Sequence, residues 1–237
     1  MREILYSHLI TGGKEQTDTH MMHSRQKSQS GFTLIELMIV IIILVIVVTM
    51  AAPSFVDTLD RRRVINATQA LTGQIQQARS TAILRNQNIS IVIRRQSDTQ
   101  WCFGLTDVYP FPDPAQACNC QITDINAATA CTIGVPEPGS VERILARVDQ
   151  ASYQGVALGQ LASNPLILSF EPTRGLRIAH NPGATISPTP LFNSGVADSH
   201  TFLSPRGLTT RVNLNVIGRV NACSPSSNTL MGGINPC

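Results

Sequence analysis

An unbroken apolar stretch lies near the start of the chain. Residues 32–52 are apolar or small except for Thr33, Thr49 and a single charged residue, Glu36. As a helix rising about 1.5 Å per residue, the stretch is long enough to cross the hydrocarbon core of a bilayer. A carboxylate within such a span costs about 2.5–3.5 kcal/mol, so we expect Glu36 to have a specific function.

The pattern then changes to that of an amphipathic helix. From residue 53 to about residue 86, apolar or small side chains recur mostly three or four positions apart, as one helical face requires. The positions on this face are Phe55, Leu59, Val64, Ala67, Leu71, Ile75, Ala78 and Ala82. We therefore predict that residues 53–86 continue the first helix and bury this face against a domain.

The rest of the chain, residues 87–237, has the alternating pattern of short strands separated by turns. The strand candidates are 89–94, 101–105, 141–148, 165–170, 176–179, 210–216 and 219–222. Residues 106–140 contain five prolines and three cysteines, and we predict a long loop there. The part of the chain after the apolar stretch has the length of one ordinary globular domain. The pattern therefore predicts an α+β fold in which a long helix packs on an antiparallel β-sheet.

The cysteine positions indicate disulfide bonds. All six follow the apolar stretch: Cys102, Cys118, Cys120, Cys131, Cys223 and Cys237. An even number in a domain outside the cytoplasm is typical of disulfides, and we expect Cys223 and Cys237 to close the tail 223–237. The other four would staple the loop, although a direct Cys118–Cys120 bond would close a strained ring. A metal site is the alternative, but no Cys-x-x-Cys pair or histidine cluster supports it.

Catalytic motifs are absent from the sequence. The chain contains no Gly-x-Ser-x-Gly, His-Glu-x-x-His or P-loop pattern. His180 and His200 lie near proline or serine in predicted loops, where we expect them at the surface, and Trp101 is expected in the core. The sequence therefore predicts a protein that is not an enzyme and needs no cofactor or metal.

The start of the apolar stretch has a specific resemblance. The pattern Gly31-Phe-Thr-Leu-Ile-Glu36 resembles the class III signal of type IV prepilins and type II secretion pseudopilins. The resemblance implies that a prepilin peptidase cuts between Gly31 and Phe32 and methylates the new terminus at Phe32. It also implies that Glu36 pairs with a subunit's N-terminal amine during assembly, since a buried carboxylate needs such a partner.

This resemblance sets the expected organisation and location. Residues 1–31 would be the leader, residues 32–52 the transmembrane and assembly helix, and residues 87–237 a periplasmic β-domain. The protein would sit in the inner membrane with a cytoplasmic N-terminus before it enters a pilus or pseudopilus. Two alternatives are an ordinary signal peptide cut after Ala51 and a plain membrane anchor, neither of which explains Glu36. Met21 and Met22 are alternative start codons to Met1.

Two later stretches resemble the GspH/FimT family of minor pilins. One is the apolar strand and Phe-x-Pro turn of Leu166–Gly175, and the other is the ending Ile217-Gly-Arg-Val-x-x-Cys223. The resemblance implies that the partners are other major and minor pilins or pseudopilins. The cysteines and this ending favour a type IV pilus over a type II secretion system, but the sequence leaves both open.

The C-terminal end is locally basic. No acidic residue follows Asp198, whereas Arg206, Arg211 and Arg219 do. FimT-like proteins are tied to DNA uptake through a Gly-Arg-x-Arg pattern, and here its second arginine is Asn221. About three phosphate contacts would give a salt slope of about −2 to −3, which means weak, non-specific DNA binding. The alternative is that these arginines only solvate a sheet surface.

Overall fold

The computed structural model describes residues 31–107, 117–137, 140–178, 198–225 and 233–237. The chain divides into two units, Met1–Val48 and Thr49–Cys237. A single helix, α1, spans Leu34–Arg85. The leader, the candidate start methionines and His180 lie outside the described residues.

The second unit contains eleven antiparallel strands among its described residues. They are β1 Ile89–Ser97, β2 Gln100–Thr106, β3 Thr132–Glu137, β4 Ser140–Leu145, β5 Arg147–Asp149, β6 Ala157–Leu158, β7 Leu166–Phe170, β8 Arg177–Ile178, β9 Asp198–Leu203, β10 Thr209–Leu214 and β11 Val220–Cys223. They form a five-stranded sheet in the order β5-β2-β1-β7-β8, a four-stranded sheet in the order β11-β10-β9-β6, and a β3–β4 hairpin. The predicted α+β fold, with a long helix packed on antiparallel sheets, is confirmed.

The second half of α1 forms one wall of the main core. Its fully buried positions follow the predicted helical face: Val64, Ala67, Leu71, Ile75, Ala78 and Ala82. They pack in one cluster with apolar side chains from both sheets, including Ile91, Phe103, Leu168, Phe202 and Leu214. Full burial of each large side chain contributes about 1.5–3 kcal/mol. Phe55 departs from the prediction, because it is 64% exposed and the buried face begins further along the helix.

Trp101 lies in this core, as predicted. It is 2% exposed, and its indole N–H donates a hydrogen bond to the carbonyl oxygen of Val156 at 2.9 Å. The ring stacks against Phe103 and Tyr153, with ring centroids 5.9 and 6.0 Å away, respectively. The one polar atom of the buried indole is thus satisfied, which is what burial of tryptophan requires.

The predicted loop over residues 106–140 is wrong in its second half. Strand β3 begins at Thr132 and pairs with β4, which begins at Ser140. The prolines suggested a loop, but a two-stranded hairpin has no interior strand, so Pro136 can lie on an open edge without breaking a ladder. The remaining part of the predicted loop includes residues 108–116, which lie outside the described residues.

The strand predicted over residues 141–148 is in fact two strands in different sheets. β4 pairs with β3, whereas β5 pairs with β2. Ala146 lies between them, where its N–H donates to the carbonyl of Cys131 and its carbonyl accepts from Leu105. The sequence does not indicate this change of partner, because no glycine or proline interrupts residues 141–148.

Strands β6 and β9 were not predicted. β9 reads Asp-Ser-His-Thr-Phe-Leu, and its buried positions are His200 and Phe202. A histidine at an inward position hides the alternation that would otherwise indicate a strand. β6 has only two residues and exists because it pairs with β9.

Three disulfides link the cysteines: Cys102–Cys120, Cys118–Cys131 and Cys223–Cys237. The first two join Val92 and Ala117 in a small second core, separate from the main one. The carbonyls of Ala117 and Cys118 accept hydrogen bonds from the guanidinium of Arg94 at 2.7 and 3.1 Å. The prediction of a domain stapled by disulfides is therefore confirmed.

No single helix in the described part of the chain is both long and apolar enough to span a membrane. The segments Leu34–Met50 and Ser54–Arg85 satisfy length and composition only when taken together as a bent pair.

Candidate functional site

The start of α1 has a defined cap. Thr33 precedes the helix, and its side-chain oxygen accepts a hydrogen bond from the backbone N–H of Glu36 at 3.3 Å. The Thr33 carbonyl also accepts the N–H of Leu37 at 3.2 Å. Gly31 and Phe32 therefore lie before the first helical turn, and the Phe32 side chain is 83% exposed. The peptide bond between them is in irregular, accessible backbone.

The cap is a feature that the sequence analysis missed. Thr33-Leu-Ile-Glu36 matches the capping-box pattern, in which a threonine cap is followed three positions later by glutamate. A carboxylate in the first helical turn also interacts favourably with the helix dipole, by about 0.3–1 kcal/mol. Glu36 therefore has a local structural contribution in addition to its expected role in pairing with an amine.

The apolar stretch is uncovered within the chain. Every residue from Gly31 to Met50 is exposed, and the apolar side chains from Leu34 to Val48 are each between 50% and 77% exposed. A soluble monomer rarely exposes so large a contiguous apolar surface. This surface marks a site for contact with lipid or with other protein chains.

The two family-like motifs of the β-domain meet at the end of α1. Gly175, in the turn after the Phe-x-Pro motif, has a φ of 63°, and Gly218, in the β10–β11 turn, has a φ of 78°. The Nε–H of Arg79 donates a hydrogen bond to the carbonyl of Gly175 at 3.0 Å. A Cβ on Gly218 would lie 2.8 Å from that same carbonyl oxygen. Glycine at both positions therefore lets the two turns close on the helix.

The structure separates the three candidate DNA-contacting arginines. Arg206 lies in the β9–β10 turn and Arg219 in the β10–β11 turn, at opposite ends of the six-residue strand β10. At about 3.3 Å per residue, the two turns are about 20 Å apart. Arg211 is half-buried between them. DNA binding by these residues stays a prediction, and they do not form one patch.

Arg206 has acidic partners on the helix. Its guanidinium forms an ion pair with Asp57 and approaches Asp60 at 3.5 Å. The Asp60 carboxylate is itself largely buried and also lies 3.5 Å from Arg63. These contacts connect the β9–β10 turn to α1, so the Arg206 guanidinium already has carboxylate partners within the domain.

His200 was predicted at the surface, and this prediction is wrong. It lies in β9 opposite Val212, is 3% exposed, and neither ring nitrogen has a hydrogen-bond partner among the described residues. Burial lowers the pKa of His200, the nearby carboxylate of Asp198 raises it, and Arg177 lowers it. Asp198 and Arg177 pair with each other, joining β9 to β8.

Acidification is expected to destabilise the domain through His200. Because the pKa is lower in the folded state, the unfolded chain takes up the proton first once the pH falls below about 6.5, and the free energy of unfolding decreases. The slope contributed by one such group is at most about 1.4 kcal/mol per pH unit. Urea unfolding between pH 8 and pH 5 measures it, with His200→Gln as the variant that does not titrate. An equal slope for both proteins would contradict the expectation.

The arrangement of the helix and the sheets is that of a known class of subunit. A helix with an exposed apolar first part and a second part buried on antiparallel sheets is the architecture of a pilin-like subunit. Residues 26–52 match the family model of the prokaryotic N-terminal methylation motif, and residues 67–218 match that of type II transport protein GspH. The second match spans more than half of the chain, so the chain belongs to the GspH family of minor pilins and pseudopilins.

Three known proteins are similar to parts of the chain in sequence or in fold. Two proteins from Pseudomonas aeruginosa, each described as a fimbrial protein, are 35% identical to the chain over 81 residues, which is 34% of this chain and 51% of theirs. The chain thus matches about half the length of these curated relatives. A crystal structure of the P. aeruginosa type IV minor pilin FimU aligns over 71% of this chain and 92% of its own, with 12% identity and a TM-score of 0.38. Pilins and pseudopilins are structural subunits that assemble with one another.

Proposed function

We propose that the protein is a minor pilin that is processed by a prepilin peptidase and assembled into, or primes, a type IV pilus-like filament. The observation that carries the proposal is the exposed apolar first part of α1, with Glu36 in its first turn and Gly31–Phe32 in accessible backbone before it. Cleavage before Phe32 would leave this whole surface on the mature protein. The match of residues 26–52 to the methylation motif supports the same site.

The proposed mechanism follows from the chemistry of this segment. Before assembly, the apolar surface lies in the inner membrane, with the β-domain in the periplasm, where disulfides are stable. On assembly, the same surface packs against the helices of other subunits. Glu36 then neutralises the methylated amine of a subunit, because a carboxylate in an apolar helix bundle needs a cationic partner.

The mature N-terminus tests the processing step. Mass spectrometry of the protein purified from membranes is expected to give a chain that begins at methylated Phe32. The Gly31→Leu variant is the control. We expect it to remain uncut, because a bulky side chain at this position obstructs close approach of the peptidase. A mature chain that begins after Ala51 would contradict the proposal and identify an ordinary signal peptide.

The alternative is a pseudopilin of a type II secretion system, which uses the same class of subunit. The fimbrial relatives and the disulfide-closed ending favour the pilus. Deletion of the gene is expected to abolish twitching or natural transformation and to leave exoprotein release intact. The reverse phenotype would assign the protein to secretion. DNA capture is the weaker proposal, because the candidate arginines are separated.

A further inference from the structure

A groove lies where the end of α1 meets the β10–β11 turn. It has a volume of about 410 Å³ and is lined by Gln76, Arg79, Ser80, Ile83, Gly218, Arg219 and Val220. We call it the Arg79–Arg219 groove. All of its described lining residues belong to the second unit.

The groove is cationic. Arg79 uses its Nε–H for the carbonyl of Gly175, and its other guanidinium nitrogens have no acceptor within the part of the chain that the structure describes. The Arg219 side chain is exposed, and its hydrogen bonds among the described residues use only its backbone: its N–H donates to the side-chain oxygen of Asn215 at 2.7 Å, and its carbonyl accepts from the N–H of Asn215 at 3.0 Å. None of the lining residues that the structure describes is acidic. Two guanidinium groups are therefore available to bind anionic oxygen atoms.

The groove also has an exposed apolar rim. Ile83 on the helix is 45% exposed, and Ile217, directly before Gly218 in the turn, is 48% exposed. Both are large aliphatic side chains that water covers in the isolated chain. A ligand that covered them as well as the arginines would gain about 25 cal/mol for each Å² of apolar surface removed from water.

We propose that the Arg79–Arg219 groove binds an acidic segment of a neighbouring filament subunit. Arg79 and Arg219 would hold one or two carboxylates, while an apolar residue of the same segment packs against Ile83 and Ile217. This inference rests on the proposed function, because it requires a filament neighbour. It explains why the cationic and apolar surfaces lie side by side at one edge of the domain.

A polypeptide fits the groove better than DNA does. Two arginines would give duplex DNA a salt slope of only about −2, and a phosphate backbone would leave Ile83 and Ile217 exposed to water. An acidic peptide uses both surfaces at once. Electrostatic complementarity of this kind contributes to the choice of partner as well as to affinity.

Site-specific photo-cross-linking in assembled filaments tests the inference. The photoreactive residue p-benzoylphenylalanine is introduced at Ile83, at Ile217, or at the control position Ile144, an exposed isoleucine on β4. We expect cross-links at the first two positions to one filament subunit, on a peptide with Asp or Glu beside an apolar residue. Using two groove positions protects the test against a local packing defect at either one.

Charge reversal provides the matched comparison. Arg219→Asp is expected to reduce the cross-link yield at Ile83 at least about tenfold, because it places like charges together. Arg143→Asp, which changes an exposed arginine on β4, should leave the yield unchanged. A yield at Ile83 and Ile217 no higher than at Ile144, a captured peptide without acidic residues, or capture of DNA would each overturn the inference.

The result separates this inference from the proposed function. If the mature protein is found in sheared filaments without a groove cross-link, the groove inference fails and the proposed function stands. If the mature protein is absent from filaments altogether, the proposed function fails and the groove inference fails with it.

Discussion

Replacing Glu36 with alanine is expected to remove the protein from assembled filaments while leaving its β-domain folded. Removal of one partner from a buried ion pair costs about 3–5 kcal/mol, because the other charge is left unpaired. A loss of this size corresponds to at least about a hundredfold decrease in incorporation. Immunoblotting of sheared filaments against the membrane fraction measures the change.

Glu36→Gln distinguishes the two contributions of this residue. Glutamine satisfies the capping-box pattern with Thr33 but carries no charge. If the amine pairing is the main function, Glu36→Gln should be as defective as Glu36→Ala. Thr33→Ala, which removes the cap and keeps the charge, should cost about 0.5–2 kcal/mol of local helix stability and retain assembly. Normal assembly of Glu36→Gln would contradict the proposed pairing.

Gly104→Ala is expected to destabilise the β-domain by about 1–3 kcal/mol and to leave part of the protein with free thiols. A Cβ on Gly104 would lie 2.6 Å from the Cβ of Cys131 and 2.9 Å from the carbonyl oxygen of Ala146. The same Cβ would lie 2.8 Å from the Sγ of Cys131, which is bonded to Cys118. An added methyl group must therefore displace the disulfide and the strand beside it.

Gly73→Ala is the matched control for this substitution. Gly73 lies on an exposed part of α1, and a Cβ there would meet no atom within 4 Å. Alanine is favoured over glycine within a helix by about 0.5–1 kcal/mol, so this variant should be more stable than the natural protein. Denaturant unfolding and thiol titration of both variants measure the effects. Equal stability of Gly104→Ala and the natural protein would show that the disulfide tolerates displacement.

The local pattern of the sequence was sufficient for the elements whose burial follows a regular period. The buried face of α1 from Val64 to Ala82 was predicted because residues three and four apart share one side of a helix. Strands β1, β2, β7 and β10 are predicted by their apolar residues and the turn residues that bound them. Thr33 and Glu36 also match a local capping-box pattern, which indicates the start of a helix.

Other features depend on pairing between distant residues and were missed. Strand β9 has a histidine at an inward position, and β6 exists only through its contact with β9. The cysteine pairing was left open, because several pairings of Cys102, Cys118, Cys120 and Cys131 satisfy the same spacing. The position of Arg206 beside Asp57 brings together residues 149 positions apart, and no local pattern indicates such a contact.

The class of the protein can be read from its sequence, because the apolar stretch, Glu36 and the Gly31–Phe32 motif are local features that need no tertiary contact to be recognised. Which surfaces are free to act depends on the folded chain. In the folded chain, Arg206 forms an ion pair and His200 is buried. Arg79 on the helix lies beside Arg219, in a turn 140 positions away in the sequence. A side chain's exposure, and therefore the partners it can reach, is set by packing between elements that are distant along the chain.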